Sequence, residues 1–255
     1  MLHLLKRHPL SVRAHFEFVL SVTYALPPGI LLKFLPAGLR LDEWNGLGFL
    51  AAAFVQARHL RPVLFPKFAG RSYFFGGYRV FCRYVTRHGR ELRGLKIIRS
   101  DTDKGLMVAV GDLLTHYNYH PAKVELQRSS NCIRLHVASH DGCGDVELSA
   151  DVEHAGEFLP EGSPFSNAHD ARHFVGPMPY TFAGEPETNS MIRIHGIHRG
   201  WKPRLVPLSV KKLSFLEQES FAGVEPVLAS CFYIENVDYR WKRGVREQLA
   251  THANS

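Results

Sequence analysis

The sequence predicts a mostly β protein, a large antiparallel barrel with an interior cavity and a few short helices. Three observations carry this. Apolar and polar residues alternate with period two along most of the chain, as half-buried strands require. Turn signals separate these runs at regular spacing, which favours a barrel or sandwich. No Gly-rich phosphate loop follows a strand, and the strand–helix alternation of a dinucleotide fold is missing, so kinases, P-loop enzymes and nicotinamide enzymes are poor candidates.

The elements follow in order. Residues 16–24 (FEFVLSVTY) read as a strand, and the prolines of LPPGILLKFLPAGL confine any helix to the piece between Pro28 and Pro36. Residues 47–56 form a buried strand, too short in its apolar run to span a membrane, which takes about 18 residues or more. Residues 78–86 and 92–98 flank RHGR as a hairpin; DTDKG is the next turn, and a further strand is expected from Leu106 onward. Strands at 123–127, 133–138 and 146–152 continue the series. The Pro- and Gly-rich segment 158–187 is looser, with only SNAHDARHF helical and Ser166 or Asn167 as its cap. Strands resume at 191–197, 205–215 and 228–237, and the polar segment REQLATHANS frays. Residues 1–245 are thus one barrel domain and 246–255 a tail.

Composition is that of an ordinary globular protein: 255 residues, 45% hydrophobic and 22% charged. The basic N-terminal segment lacks a long apolar core with a cleavage site, so no signal peptide is read, a cytoplasmic location is expected and no membrane partner is expected. The net charge of +7 raises nucleic acid as a partner, but Lys and Arg are dispersed, with no basic helix and no binding module; no nucleic-acid partner is expected. A homo-oligomer is compatible with the sequence.

Four cysteines need an account. If Asp141-Gly142 is a two-residue turn, His140 faces Cys143, while Cys132 lies opposite the neighbourhood of Asp151. Cys132 and Cys143 are then too far apart to bond, and all four thiols are expected free. Cys82 and Cys231 sit in apolar strands and read as small hydrophobes.

Fifteen histidines invite a metal site. His169 and His173 stand four apart on the short helix, but a zinc site needs a third or fourth ligand and none is evident; His116 with His120 and His195 with His198 are equally incomplete. No metal and no cofactor are expected. Arg79, Phe81 and Arg83 share one strand face, and two guanidinium groups there are suited to clamp a carboxylate. The other face, Tyr78, Val80, Cys82 and Tyr84, is the more natural filling for a barrel interior.

In GDLLTHYNYHPAKVEL, an extended chain sets His116 and His120 on one face and Tyr117 and Tyr119 on the other, ahead of Lys123. A lysine becomes an imine-forming nucleophile only when burial or a nearby cation lowers its pKa; otherwise it is a strand-start lysine reaching solvent.

The chain resembles the YqjF-like family of bacterial proteins, related to acetoacetate decarboxylase. The resemblance is carried, over most of the chain, by SVTYALPPGILLKFLPAGLRLDEWNG, GYRVFCRYVTRHGRELRGLKIIRSDTD, GDLLTHYNYHPAKVEL, GPMPYTF and WKPRLVPLSV in that order. It implies a large, mostly antiparallel barrel with an interior cavity. In the decarboxylases a Pro-Lys-Lys segment supplies the imine-forming lysine and a second lysine that lowers its pKa. The segment that looks like its counterpart is Pro121-Ala122-Lys123, with alanine at the nucleophile position. Imine-based decarboxylation is therefore not expected, and Lys123 is read as a lysine beside the pocket.

The leading expectation is a barrel that binds a small anionic organic molecule, a keto or carboxylic acid, with Lys123, His116, His120, Tyr117, Tyr119, Arg79 and Arg83 as candidate ligand-binding residues. The alternatives are a lyase or hydratase on the same scaffold, using histidines for proton transfer, and a fully packed interaction protein. Catalytic residues are not assigned.

Overall fold

Period-two alternation becomes four strands of 15 residues each: β1 (Val12–Leu26), β3 (Gly48–Pro62), β4 (Arg71–Val85) and β13 (Val227–Trp241). At ~3.3 Å per residue each is about 50 Å long, enough to curve around an enclosed space. The computed structural model describes residues 2–249. Its remaining elements are α1 (Pro28–Leu32), β2 (Leu39–Leu41), β5 (Glu91–Thr102), α2 (Gly105–Leu114), β6 (Tyr119–Arg128), β7 (Cys132–Ser139), β8 (Val146–Asp151), α3 (Ala168–Val175), β9 (Tyr180–Glu185), β10 (Ser190–Arg199), β11 (Arg204–Leu205), β12 (Leu208–Leu213) and β14 (Val245–Gln248), with short 3₁₀ turns between.

The order β5-β9-β10-β13-β1-β3-β4 closes into a ring because β4 also pairs with β5. Neighbours in a closed ring of seven cannot all run antiparallel; at least one pair must be parallel. That pair is β5–β9, joined at Leu95↔Thr181 and Lys96↔Phe182. A second parallel pair, β5–β6, leads out of the ring into the antiparallel meander β6-β7-β8-β12. The sheet is therefore mixed rather than wholly antiparallel.

Alternation gives the ring strands two buried faces. Outward, Phe18, Leu20 and Val22 of β1, Leu50, Ala52 and Phe54 of β3, and Tyr78 and Val80 of β4 pack against Ile133, Leu135, Val137, Val146 and Leu148 of the meander. Inward, Phe16, Val19, Ala51, Val55, Phe81, Leu95, Phe232 and Ile234 face the ring interior. One end is plugged by α3 with Phe49, Phe165 and Phe174, whose rings stack or meet edge-on within 6.2 Å. The Tyr78/Val80/Cys82/Tyr84 face, expected to fill the barrel, thus packs outside it. Both faces of β4 are apolar, so alternation alone does not say which is inside.

The β7–β8 pairing has the predicted register, with Cys132 opposite Asp151, and all four cysteines are free. It ends, however, at Val137 opposite Val146: a longer connection, with the Gly142 N–H on the Ser139 carbonyl, replaces the expected two-residue Asp141-Gly142 turn. Asn167 caps α3, its side chain accepting the Asp170 N–H at 2.9 Å. Three further expectations are corrected. The strand from Leu106 is helix α2: Leu106, Met107, Val110, Gly111 and Leu114 recur at helical spacing and turn to the ring interior, a stripe that Val108 and Val110 disguise as strand. Residues 180–185, read as loop, form β9, which the ring needs for closure. Finally, Arg246–Gln248 of the expected tail belong to β14, pairing with β10; residues 250–255 lie outside the described part.

Candidate functional site

The ring encloses a cavity of about 360 Å³. Tyr73, Phe75, Gly77, Arg79 and Phe81, alternate residues of β4, run down one wall. Phe81 marks the plugged end with Leu95 and Phe232; Leu10, Leu106 and Val110, 47%, 51% and 41% exposed, mark the mouth. Arg79 therefore sits deep.

Two local features place it. The β4–β5 register slips between Tyr78 and Arg79, so that Gly77 faces Ser100 and Arg79 faces Ile97. Such a bulge re-aims the side chains beside it. Gly77 leaves open the space the guanidinium occupies: a Cβ there would stand 3.3 Å from an Arg79 Nη atom. Among the described residues the buried Nε of Arg79 has no hydrogen-bond partner, and the groups acting on its charge are Tyr239, Tyr117 and Tyr119, with no carboxylate. Burial lowers its pKa, though arginine keeps its proton in proteins.

The tyrosines arrive from two parts of the chain, Tyr117 and Tyr119 from the α2–β6 turn and Tyr239 from β13. α2 ends at Leu114, Asn118 takes a left-handed conformation (φ 53°), and the chain turns back into β6. The Asp112 carboxylate accepts the Tyr119 N–H at 2.8 Å. The Tyr119 ring lies directly on Gly111, where any side chain would collide with it. The Tyr117 hydroxyl is 3.0 Å from Thr181 Oγ1, and burial pushes its pKa up to about 12. Burial raises Tyr119 and Tyr239 as well, so all three stay protonated donors at neutral pH. Gly196 leaves room for the Tyr239 hydroxyl.

The remaining lining is apolar except for Ser21, Ser100, Thr115, Thr181, His8, Arg61 and the polar tips of Tyr73, Trp201 and Trp241, with no Lys, Asp or Glu among the described residues. His8 is buried in a left-handed conformation (φ 53°), held by its N–H to the Leu114 carbonyl at 2.9 Å, and burial lowers its pKa. Sequence reasoning missed Tyr239, Thr181 and His8. Tyr239 was legible as the same-face neighbour of Trp241 on β13; His8 and Thr181 carry no local signal.

Of the candidates from the sequence, Arg79, Tyr117 and Tyr119 meet at this cavity. The other four are placed outside it. Lys123 is exposed on β6 opposite Ala138, while the neighbouring Ala122 packs on the outer core, so no part of Pro121-Ala122-Lys123 lines the cavity. His120 turns to Asp141, 3.3 Å away, and half-buried His116 has its Nε2 buried without a partner. Burial, then Lys96, lowers the His116 pKa. Arg83 is spent on structure: with Arg93 it grips fully buried Asp42, both at 2.6 Å, and it also pairs with Glu91. Arg93 in turn donates to the Phe174 carbonyl at 2.9 Å, tying the plug to β5.

A second buried charge cluster is structural. Arg99 bonds Asp101 at 2.6 Å and Asp141 at 2.8 Å, locking the Asp141-Gly142 turn of the meander to the ring. His169 and His173 stack with ring centroids 6.4 Å apart, and among the described residues no three His, Cys, Asp or Glu side chains gather as a metal site.

A closed ring around a deep, unpartnered arginine describes a small-molecule scaffold, and the comparisons give it a family. Residues 13–238 match DUF2071, described as uncharacterized conserved protein (COG2071), and the chain belongs to that family. No curated protein matches it. Solved structures share the fold at low identity. Acetoacetate decarboxylase from Legionella pneumophila is 15% identical with a TM-score of 0.61, covering 96% of this chain and 90% of its own. An acetoacetate decarboxylase-like enzyme from Sphingomonas wittichii RW1 is 18% identical with a TM-score of 0.57, covering 95% and 94%. The enduracididine biosynthesis enzyme MppR, complexed with pyruvate, is 13% identical with a TM-score of 0.59, covering 93% and 90%. The fold is acetoacetate decarboxylase-like. No helix among the described residues is long and apolar enough to cross a membrane.

Proposed function

We propose that this protein binds a small organic carboxylate in the ring cavity, with Arg79 as its charge partner. The observation that carries this is the deep guanidinium without a carboxylate. A buried cation is costly unless paired, and a planar fork of N–H donors matches the two oxygens of a carboxylate. The tyrosine hydroxyls nearby add neutral donors without adding negative charge. A cavity of this volume favours a ligand-binding protein over a packed interaction protein, and MppR, bound to pyruvate, is a precedent on the same fold.

The lining does not favour imine chemistry. An imine needs an unprotonated amine aimed at a carbonyl, and no lysine lines the cavity among the described residues. Borohydride treatment with acetoacetate or pyruvate is expected to trap no adduct. Isothermal titration with a panel of carboxylic acids tests the binding reading. Arg79→Met is expected to weaken the acid that binds by about 10- to 150-fold, the worth of a hydrogen-bonded charge, about 1.5–3 kcal/mol. Lys123→Met is expected to leave affinity within about twofold, since its side chain points to solvent. Equal affinity for wild type and Arg79→Met across the panel, or a borohydride adduct on any lysine, sinks this reading.

A further inference from the structure

We propose that the natural ligand is a monocarboxylic acid with an apolar body, an aryl or medium-chain acid, rather than a short keto acid. This rests on the carboxylate reading above and narrows it.

Arg79 and the three tyrosines that act on its charge cluster at the deep end, while Arg61 lines the cavity toward the mouth end of β3. Arg79, facing Ile97, lies beside Gly77 and Ser100, and Tyr117, Tyr119 and Tyr239 are the groups that act on its charge. From the level of Gly77 to that of Tyr73 the wall runs about 13 Å, four residues at ~3.3 Å each. Over that length the enclosing side chains are apolar or aromatic: Phe16, Val55, Phe75, Met107, Val110 and Trp241 among them. A carboxylate held at Arg79 by a body lying along this wall satisfies both environments.

Volume agrees. At about 360 Å³ the cavity falls within the roughly 300–1,000 Å³ that holds drug-sized ligands, far more than a three-carbon acid fills. A short polar acid would leave most of the apolar wall in contact with water, gaining nothing from it. Beyond its carboxylate a keto acid would meet hydroxyl donors at the deep end, but no group that reacts with it. Among the described residues that end has no lysine to condense with a carbonyl and no Asp or Glu to take a proton from the neighbouring carbon. Arg61, the other arginine of the lining, already donates to the Phe65 and His59 carbonyls, which leaves Arg79 as the deep cation for one negative charge; a dicarboxylate would bury its second charge without such a partner.

The mouth continues the pattern. Leu10, Leu106 and Val110 are substantially exposed and all line the cavity, so this side of its rim is apolar, with Arg61 the charged residue of the lining toward the mouth. α2 supplies Leu106, Met107 and Val110 from one stripe, which makes that helix the wall a ligand's apolar end would touch.

The test is calorimetric affinity for acetate, pyruvate, acetoacetate, butanoate, octanoate and 3-phenylpropanoate, with octan-1-ol as the body without the charge. It uses wild type, Arg79→Met and Val110→Asn, with thermal unfolding to show that each variant folds and Arg79→Lys as the milder change should Arg79→Met not. Octanoate and 3-phenylpropanoate are expected to bind at least tenfold tighter than pyruvate or acetoacetate. Affinity should rise about two- to fourfold per buried methylene from butanoate onward. Val110→Asn should weaken octanoate several-fold and leave pyruvate unchanged, and octan-1-ol should bind at least tenfold more weakly than octanoate. Pyruvate or acetoacetate binding as tightly as octanoate, with loss in the Arg79 variant, would overturn this inference while leaving the carboxylate reading standing. Octanol matching octanoate, with the Arg79 variants unchanged throughout, would overturn both.

Discussion

Arg79 is a charge placed where the empty protein gains least from it. Among the described residues its Nε is buried without a partner and the cavity lining has no carboxylate. In the absence of ligand such a group destabilises the fold, because a guanidinium cannot shed its proton to escape the desolvation cost. Replacing it with a side chain of similar length and no charge is therefore expected to stabilise the empty protein. We expect Arg79→Met to raise the unliganded thermal midpoint by about 2–4 °C for each kcal/mol relieved, with ~1–2 kcal/mol as the scale. It should also abolish the further rise that a carboxylate ligand gives the wild type. Differential scanning calorimetry with and without octanoate measures both; a variant less stable than wild type in the empty state would show that Arg79 is a structural cation with a partner in solution. In the sequence Arg79 was legible as one of two candidate arginines. Arg83, four residues on and on the same face, differs because Asp42, from the β2–β3 connection, reaches it, and Glu91 pairs with it as well. That is a tertiary fact, and no local pattern encodes it.

At the scale of elements, the turns and caps were legible because their chemistry is local: the Asp-Gly signal marked the β7–β8 hairpin, though not its loop length, and Asn167 capped α3. Helix α2 and strand β9 were not, since β-branched residues within an apolar stripe suit either period, and proline- and glycine-rich flanks hide a short strand. The Asp141-Gly142 turn also shows how one element is held to another. The hydrogen bonds from Arg99 hold the Asp141 carboxyl well below the usual carboxylate range. A carboxyl depressed in the folded state contributes stability above its unfolded pKa, about 3.9, and loses it as pH falls through that value toward its folded one. Asp101 works in the opposite sense: burial raises its pKa despite the bonds from Arg99. The turn's share is therefore read as a difference between variants. Between about pH 5 and pH 2 the wild-type thermal midpoint should fall more steeply than that of Asp141→Asn, the two curves converging at the acid end. Parallel curves would mean that the Arg99–Asp141 pair does not fasten the turn in solution.

At the scale of the whole molecule, period-two patterning carried the class of fold, but neither the full length of the four long strands nor the inside of the ring. Both faces of β1, β3 and β4 are apolar because one meets the meander and the other the cavity. A sequence so patterned says that two layers exist without saying which one is hollow. The candidate site was half legible for the same reason. Tyr117 and Tyr119 fall to one side and His116 and His120 to the other by alternation alone, yet which pair looks inward depends on how β6 leaves β5.

The odd strand count has a consequence for how the ring can breathe. A seven-membered circuit must contain a parallel seam, and here that seam is the shortest link in it, two residue pairs against the thirteen that join β1 to β13. Strand pairs that short open locally at little cost, whereas the long antiparallel hems open only with the whole fold. The seam carries Thr181, whose hydroxyl meets that of Tyr117 beside the buried cation. The hinge line of the ring therefore passes through the floor of the site rather than its rim. Hydrogen–deuterium exchange should find the Thr181 and Phe182 amides exchanging much faster than those of Val19 to Val22, and a carboxylate seated at Arg79 should slow them. Uniform protection around the ring, unchanged by ligand, would mean the seam is as firmly stitched as the rest. In a circle forced by arithmetic to carry one mismatched join, that join is where local opening is expected first.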